Sequence, residues 1–344
     1  MNFSEIFDKI ERDRVTSSND RVLIIDGLNT YLRIWASVPI MNENGDHYGG
    51  VVGFLRSIGS NIRDYNPSKC IIVFDGKGGS QRRRKLYPEY KMNRKTKMNV
   101  KRLDDLFSSA EEEQESMRQQ MQRLIEYLET LPIQILCIDN IEADDTIAYI
   151  SKQCLTNSNI RIVSTDRDFL QLVNHKIEVY NPVKKKLYTP DEIQCELGFN
   201  YKNYLLYRII NGDTSDNIRG IDGIGLKTIL KHIPQFISDE LSIEELLNFA
   251  STQASFKKSK KIFKTLVEQQ ERLHLNYKLM QLSDTDISGH AKLRIFDLLE
   301  NQIKRTNKLR FKQMLIEDHL HLVFKNPDDW LLNTFNRLDI WTTH

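Results

Sequence analysis

Four short apolar runs in the first half of the chain, each rich in Ile or Val, end in a carboxylate or run straight into one. They are RVLIID (21–26), KCIIVFD (69–75), PIQILCID (132–139) and IRIVSTD (160–166). Runs this short and this apolar read as strands buried on both faces. Between them, GVVGFLRSIGSNIRDY (50–65) and MRQQMQRLIEYLETL (117–131) space their apolar residues three and four apart, the helical period. Strand–helix alternation predicts an α/β fold with a central, mostly parallel sheet flanked by helices. In such a sheet, ligands bind beyond the carboxyl ends of the strands.

That geometry gathers acids. Asp26 closes the first run and Asp75 the second; Glu142, Asp144 and Asp145 follow the third, and Asp166 and Asp168 follow the fourth. The preference of acids for helix starts, roughly 0.3–1 kcal/mol each, explains an isolated example. It does not explain seven acids converging on one edge, where like charges destabilise the fold unless a cation sits among them. A divalent metal site is the economical reading. Oxygen donors without His or Cys suit Mg²⁺ or Mn²⁺ and not zinc.

Past residue 200 the period turns helical, in NYKNYLLYRIINGDTSDNIRGIDGIGLKTILKHI (200–233). GDTSDN adds Asp213 and Asp216, and Gly220, Gly223 and Gly225 precede a helix carrying Lys227. Such a turn lets backbone approach a phosphate, with free N–H groups at the helix start; its plain alternative is a connection between two helices.

Net charge is only +2, but it is unevenly spread. Residues 81–102 carry ten Lys or Arg against the single acid Glu89, and DDLFSSAEEEQE (104–115) follows at once. A second basic run, FKKSKKIFK, occupies 256–264. Segments like these are solvated faces or grips on nucleic acid. The length of 344 residues, 40% of them hydrophobic, supports two domains or one core with a large appendage. Four cysteines are widely spaced; Cys70 and Cys137 fall inside strand-like runs and are predicted to be buried, reduced thiols. No apolar stretch reaches the ~18 residues of a membrane span, and MNFSEIFDKIERDR lacks the apolar centre of a secretion signal. A cytoplasmic protein without a membrane partner is predicted.

Six motifs, taken in order and spacing, carry a family likeness: IIDGLN (24–29), VFDGKGG (73–79), PEYKMNR (88–94), EADD (142–145), STDRDF (164–169) and GDTSDNIRGIDGIGLKT (212–228). Together they resemble the 5′→3′ exonuclease and flap endonuclease family, which includes the 5′-nuclease domain of bacterial DNA polymerase I and stand-alone bacteriophage 5′-exonucleases. PEYKMNR and GDTSDNIRG lean toward the phage branch. Residues 1–20 and those after about 285 carry no matching motif. The resemblance implies two clusters of metal-binding acids: Asp26, Asp75, Glu142 and Asp144 in the first, and Asp145, Asp166, Asp168, Asp213 and Asp216 in the second. It implies that Lys91 and Arg94 act as catalytic cations, reaching the scissile phosphate from a helical arch over residues 80–115. It also implies a helix–hairpin–helix element at Gly220, Gly223, Gly225 and Lys227 gripping duplex DNA, with K⁺ at the turn.

One departure matters. The stretch between Asp75 and Tyr90 is one residue longer than the usual pattern, so Arg82 and Arg83 both stand as the DNA-contacting arginine. Tyr90 either stacks on a base or packs against the arch. The implied order is an N-terminal extension (1–20), a nuclease core (21–205), a helix–hairpin–helix region (206–285) and a helical C-terminal region (286–344). The tail NPDDWLLNTFNRLDIW either packs as a terminal helix or docks a replication protein.

The implied activity is metal-dependent hydrolysis of phosphodiesters near single-strand/duplex junctions, in replication or RNA-primer removal. The partner would be DNA with 5′ flaps or 5′ ends, with RNA/DNA hybrid also within reach, and the protein a monomer. A non-catalytic DNA-binding protein is a rival, opposed by the presence of both Asp213 and Asp216. A ribonuclease acting on RNA primers shares the same metal logic. A haloacid-dehalogenase-type phosphatase needs a second Asp two residues after Asp26, where Leu28 stands, and has no use for a ten-cation segment.

Overall fold

The computed structural model describes residues 20–92, 107, 109–283 and 287–342, so Arg94 and the middle of the expected arch lie outside the described residues. Strands β1 (Arg21–Asp26), β2 (Lys69–Asp75), β3 (Gln134–Ile138), β4 (Asn159–Val163), β5 (Ile177–Asn181) and β6 (Lys186–Tyr188) form one sheet in the order β3-β2-β1-β4-β5-β6. The first five run parallel and β6 pairs antiparallel with β5. The chain reverses its direction of travel across the sheet between β1 and β4, the point where such sheets open a crevice for ligands.

The two-residue period of a strand divides the core in two. Val22, Ile24, Ile71 and Val73 face one apolar cluster, while Leu23, Ile25, Cys70 and Ile72 face the other. Burying a side chain of this size contributes about 1.5–3 kcal/mol. Helices α1 (Gly27–Trp35), α2 (Gly49–Tyr65), a short α3 (Gln81–Leu86), α4 (Ala110–Glu129) and α5 (Ala143–Tyr149) join these strands. The acidic stretch after residue 103 starts α4: Ser109 accepts a hydrogen bond from the Glu112 amide, and Glu111, Glu112 and Glu113 lie in the first turn.

Beyond the sheet come α6 (Pro190–Leu197), α7 (Tyr204–Asn211), a two-stranded ribbon of β7 (Gly212–Asp213) and β8 (Ile218–Arg219), then α8 (Leu226–His232), α9 (Gln235–Ser238), α10 (Ile243–Ala254), α11 (Lys261–Glu268), α12 (Gln270–Met280), α13 (Gly289–Glu300), α14 (Lys308–Glu317) and α15 (Pro327–Ile340). The tail helix α15 packs on α2: Trp330 stacks on Phe311 at 5.7 Å and Phe335 is buried. Cys70 is buried as expected, but Cys137 is exposed. It lies on the edge strand β3, between the inward-facing Leu136 and Ile138, so the strand's alternation turns it outward. Among the described residues no helix is long and apolar enough to cross a membrane.

Candidate active site

The nine predicted acids lie along the carboxyl ends of the parallel strands and the β7–β8 loop. Register places Asp75 opposite Ile138 and Asp26 opposite Val73, so the strand ends are aligned. Asp26 accepts hydrogen bonds from the Ser164 hydroxyl at 2.9 Å and from the Asn29 amide at 3.3 Å. Asp75 accepts from the Ala143 amide at 3.0 Å, which ties the end of β2 to the start of α5. Glu142, Asp144 and Asp145 each turn an oxygen to within 4.8 Å of the others'. Asp166 caps a 3₁₀ turn by accepting from the Asp168 amide at 2.8 Å. Asp166 in turn feels the charges of Asp144 and Asp216, so the acids share one field. The grouping differs from expectation in one place: Asp145 lies with Glu142 and Asp144, because Arg83 reaches all three.

Those arginines come from α3. Arg83 is 2% exposed and engages all three nitrogens: Nε donates to the Leu279 carbonyl at 2.8 Å, Nη1 to Glu142 and Asp145, and Nη2 to Asp145 at 2.9 Å. The expectation that Arg83 touches DNA is therefore corrected: it is the internal counterion of the acids. Arg82 is half-buried and forks onto both oxygens of Asp145 at 3.2 Å. Arg84 and Lys85, which the motif comparison passed over, are the exposed cations of this helix. Tyr90 is also corrected. It is 2% exposed, packed in the core and directed at Glu142 through its hydroxyl, so no face is open to a base.

Lys91 pairs with Glu142 and holds its ammonium 4.9 Å over the Tyr90 ring. Its backbone sits in the left-handed region (φ 57°), a conformation that costs a non-glycine residue on the order of 1 kcal/mol. The Lys91 amide donates to the Asp216 carbonyl at 3.0 Å, which holds that turn against the GDTSDN loop. A second arginine was missed altogether. Arg208 on α7 bridges Asp168 and Asp213, at 2.7 and 2.6 Å. Its only sequence signal is a charge five residues before Asp213 in a helix whose neighbours are apolar.

Gly220, Gly223 and Gly225 play different parts. A Cβ on Gly220 would meet the Asn211 carbonyl oxygen at 2.3 Å, so glycine there serves internal packing and not a phosphate. Gly223 takes φ 72°, and around Gly223 and Gly225 the space is open. Lys227 is exposed in the first turn of α8.

Burial decides the protonation of the acids. It pushes Asp26 up to about 7, with the charges of Asp166 and Asp75 adding to it against the Ser164 bond. Burial and Asp166 push Asp168 to about 7 against Arg208, and burial with Asp144 pushes Asp145 to about 6 against Arg83. Each group keeps in the folded chain a proton that the unfolded chain has already released. Stability of the metal-free protein should therefore fall as pH rises from 5.5 to 7.5, by up to about 1.4 kcal/mol per pH unit for each such group. His47 and His232, whose values are lowered chiefly by desolvation, act in the opposite sense. Melting in EDTA should thus be higher at pH 5.5 than at 7.5, and Mg²⁺ should raise it most at 7.5. A metal-free melting temperature that climbed across this range would contradict the reading.

The donor set near Glu142 and Asp144 is carboxylate only, as hard divalent cations require, and a cation there relieves the repulsion that raises the neighbouring acids. Residues 21–198 match the family described as the 5′-3′ exonuclease, N-terminal resolvase-like domain. A 5′-3′ exonuclease of Buchnera aphidicola is 33% identical over 281 residues, covering 80% of this chain and 91% of the relative. A flap endonuclease Xni of Shewanella is 30% identical, covering 80% and 95%. Among solved structures, bacteriophage T5 5′-exonuclease with bound divalent zinc superposes with a TM-score of 0.64 at 21% identity, covering 81% of this chain and 98% of that one. A T5 flap endonuclease complex with DNA and metal ions gives 0.61 at 20% identity, covering 88% and 100%. At these identities the structural likeness speaks for the fold.

Proposed function

The chain belongs to the 5′-3′ exonuclease family, and on that premise we propose that this metal-dependent 5′ nuclease cuts DNA near the junction of a 5′ single strand and a duplex. The observation that carries the reading is the convergence of seven carboxylates on one sheet edge, with Asp213 and Asp216 of the β7–β8 loop beside them, next to a cationic segment. Two divalent ions, Mg²⁺ with Mn²⁺ as substitute, would supply an activated water and neutralise charge on the phosphate and leaving oxygen. Asp26, Asp75, Glu142, Asp144, Asp145, Asp166, Asp168, Asp213 and Asp216 are the proposed holders of these ions. Lys91 and Arg94 are proposed to meet the scissile phosphate, where a preorganised cation contributes several kcal/mol in the transition state. Arg84 and Lys85 are proposed to guide the 5′ strand.

The duplex grip is proposed to run from the Gly223–Gly225 turn, with K⁺ at that turn, across the basic face of α8 and α11. Lys227, Lys231, Lys257, Lys258, Lys261 and Lys264 are exposed, and none pairs with a carboxylate among the described residues. Each phosphate contact contributes about 0.9 to the slope of log affinity against log salt. Replacing Lys257 and Lys258 by Glu should flatten that slope by about 2, read by fluorescence anisotropy on flap DNA. An unchanged slope would remove this face from the grip.

The rest of the reading is a monomer acting in replication or primer removal, with RNA/DNA hybrid as a second substrate. The deciding experiment is cleavage of a 5′-labelled flap duplex in Mg²⁺, with EDTA and Asp144→Asn controls. Cutting near the junction that is lost in both controls supports the nuclease. Tight binding without cutting, in Mg²⁺ or Mn²⁺, would make it a structure-specific DNA-binding protein.

A further inference from the structure

Away from the catalytic edge, a cavity of about 590 Å³ opens at the amino end of β3, between the last turn of α4, the segment that joins α13 to α14, and α14 itself. Gln134, the first residue of β3, lies opposite Ile71 of β2, whereas the acids gather beyond Asp75 and Ile138 at the other end of the same strands. The joining segment is pinned twice. The Asn307 amide donates to the Thr130 carbonyl at 2.7 Å, and Thr306 donates to Asp339 of α15 from its amide at 2.9 Å and from its hydroxyl at 2.8 Å. Leu131, Ile133, Leu298 and Met314 give the cavity an apolar wall.

Gln134 is part of the same lining and is 7% exposed. Its Nε2 donates to the carbonyls of Leu298, Leu299 and Asn301 at 3.2, 3.1 and 3.2 Å, which fixes the orientation of the amide. Its Oε1 is buried and accepts from no donor among the described residues. A buried acceptor without a partner is costly, so the cavity favours an occupant that brings an N–H. Lys304, at the mouth, is exposed and pairs with no carboxylate among the described residues, while Arg310 beside it is held by Glu317 at 2.7 Å. Glu129 is the exposed acid of the same rim.

We propose that this cavity binds a single nucleoside monophosphate. The base lies on the apolar wall and donates from its amino group to Gln134 Oε1, and the phosphate meets Lys304 and Arg310. Glu129 repels phosphate and accepts from a sugar hydroxyl, which sets the direction in which the ligand lies. The volume is that of a small-ligand pocket, roughly 300–1,000 Å³, and not of a groove for duplex. Mononucleotides are what a 5′ exonuclease releases, so the inference rests on the nuclease reading for the source of its ligand but not for the binding. The pinned segment carries occupancy to α15, which makes the C-terminal helices the part that a bound nucleotide stabilises.

The test is calorimetric titration of dAMP into the metal-free full-length protein in EDTA, where the bare catalytic acids repel phosphate. One site per chain is expected, with Kd on the order of 10–100 µM. Deoxyadenosine and 2-deoxyribose 5-phosphate should each bind at least about tenfold more weakly. Lys304→Glu should weaken dAMP by about tenfold or more, leave deoxyadenosine unchanged and leave flap cleavage at the wild-type rate. No saturable binding up to about 1 mM, or equal binding of the sugar phosphate without a base, overturns the proposal. So does equal weakening by Lys227→Glu, which would put the nucleotide on the duplex grip. Because binding is read in EDTA, its failure leaves the nuclease reading standing, and a protein that binds dAMP but cuts no flap DNA loses only that reading.

Discussion

Asp144→Asn is expected to lower the rate of flap cleavage by about 10³-fold or more, since several kcal/mol of transition-state stabilisation depend on a held metal. Burial opposes ionisation of Asp144, but Arg83 and Lys91 outweigh it and hold its carboxyl below the usual range. It is therefore charged at any working pH. Its Oδ1 accepts from the Asp145 amide at 2.7 Å, while among the described residues no donor reaches Oδ2. That leaves one ionised oxygen for a cation. Asparagine keeps the shape and the amide contact but removes the charge, so affinity for flap DNA measured in Ca²⁺ should stay within about threefold, well under 1 kcal/mol. A variant that cut at the wild-type rate in Mg²⁺ would remove Asp144 from the ligand set.

The second large effect is on stability. Arg83→Met should cost about 3–5 kcal/mol, because it strands Glu142 and Asp145 as buried charges without their partner. For a chain of this size the melting temperature in EDTA should fall by on the order of 10 °C. Excess Mg²⁺ should recover part of the loss, since the uncovered acids then bind it more tightly. Loss of the bond from Arg83 to the Leu279 carbonyl, near the end of α12, should also loosen the helical region from the core. A metal-free melting temperature within about 2 °C of wild type would show that Arg82 and Lys91 suffice as counterions.

Much of this was legible in the chain. The four strands appear within three residues of their expected limits, because Ile- and Val-rich runs bounded by acids have few other uses in an α/β fold. The two last strands of the sheet, IEVYN and KLY, were not read: they are short and half-buried, and their pairing depends on neighbours far along the chain. The arch segment was read by its charge alone. Charge does not distinguish Arg82 from Arg83, and one residue of helix rotation, about 100°, leaves one side chain half-buried and sends its neighbour into the core. Tyr90 was expected either to stack on a base or to pack against the arch, and it is enclosed in the core.

The sequence by itself determined four of the six strands, the edge on which ligands gather and the seven acids at the strand ends. Each of these follows from local periodicity and from the rule that parallel strands end on the same side. Only the tertiary structure decided which cation serves which acid. Arg83 comes 59 residues before Glu142, and Arg208 reaches Asp168 across 40 residues. Pairings of that kind depend on how helices pack against the sheet, and no window of sequence records the distance between two side chains that packing brings together.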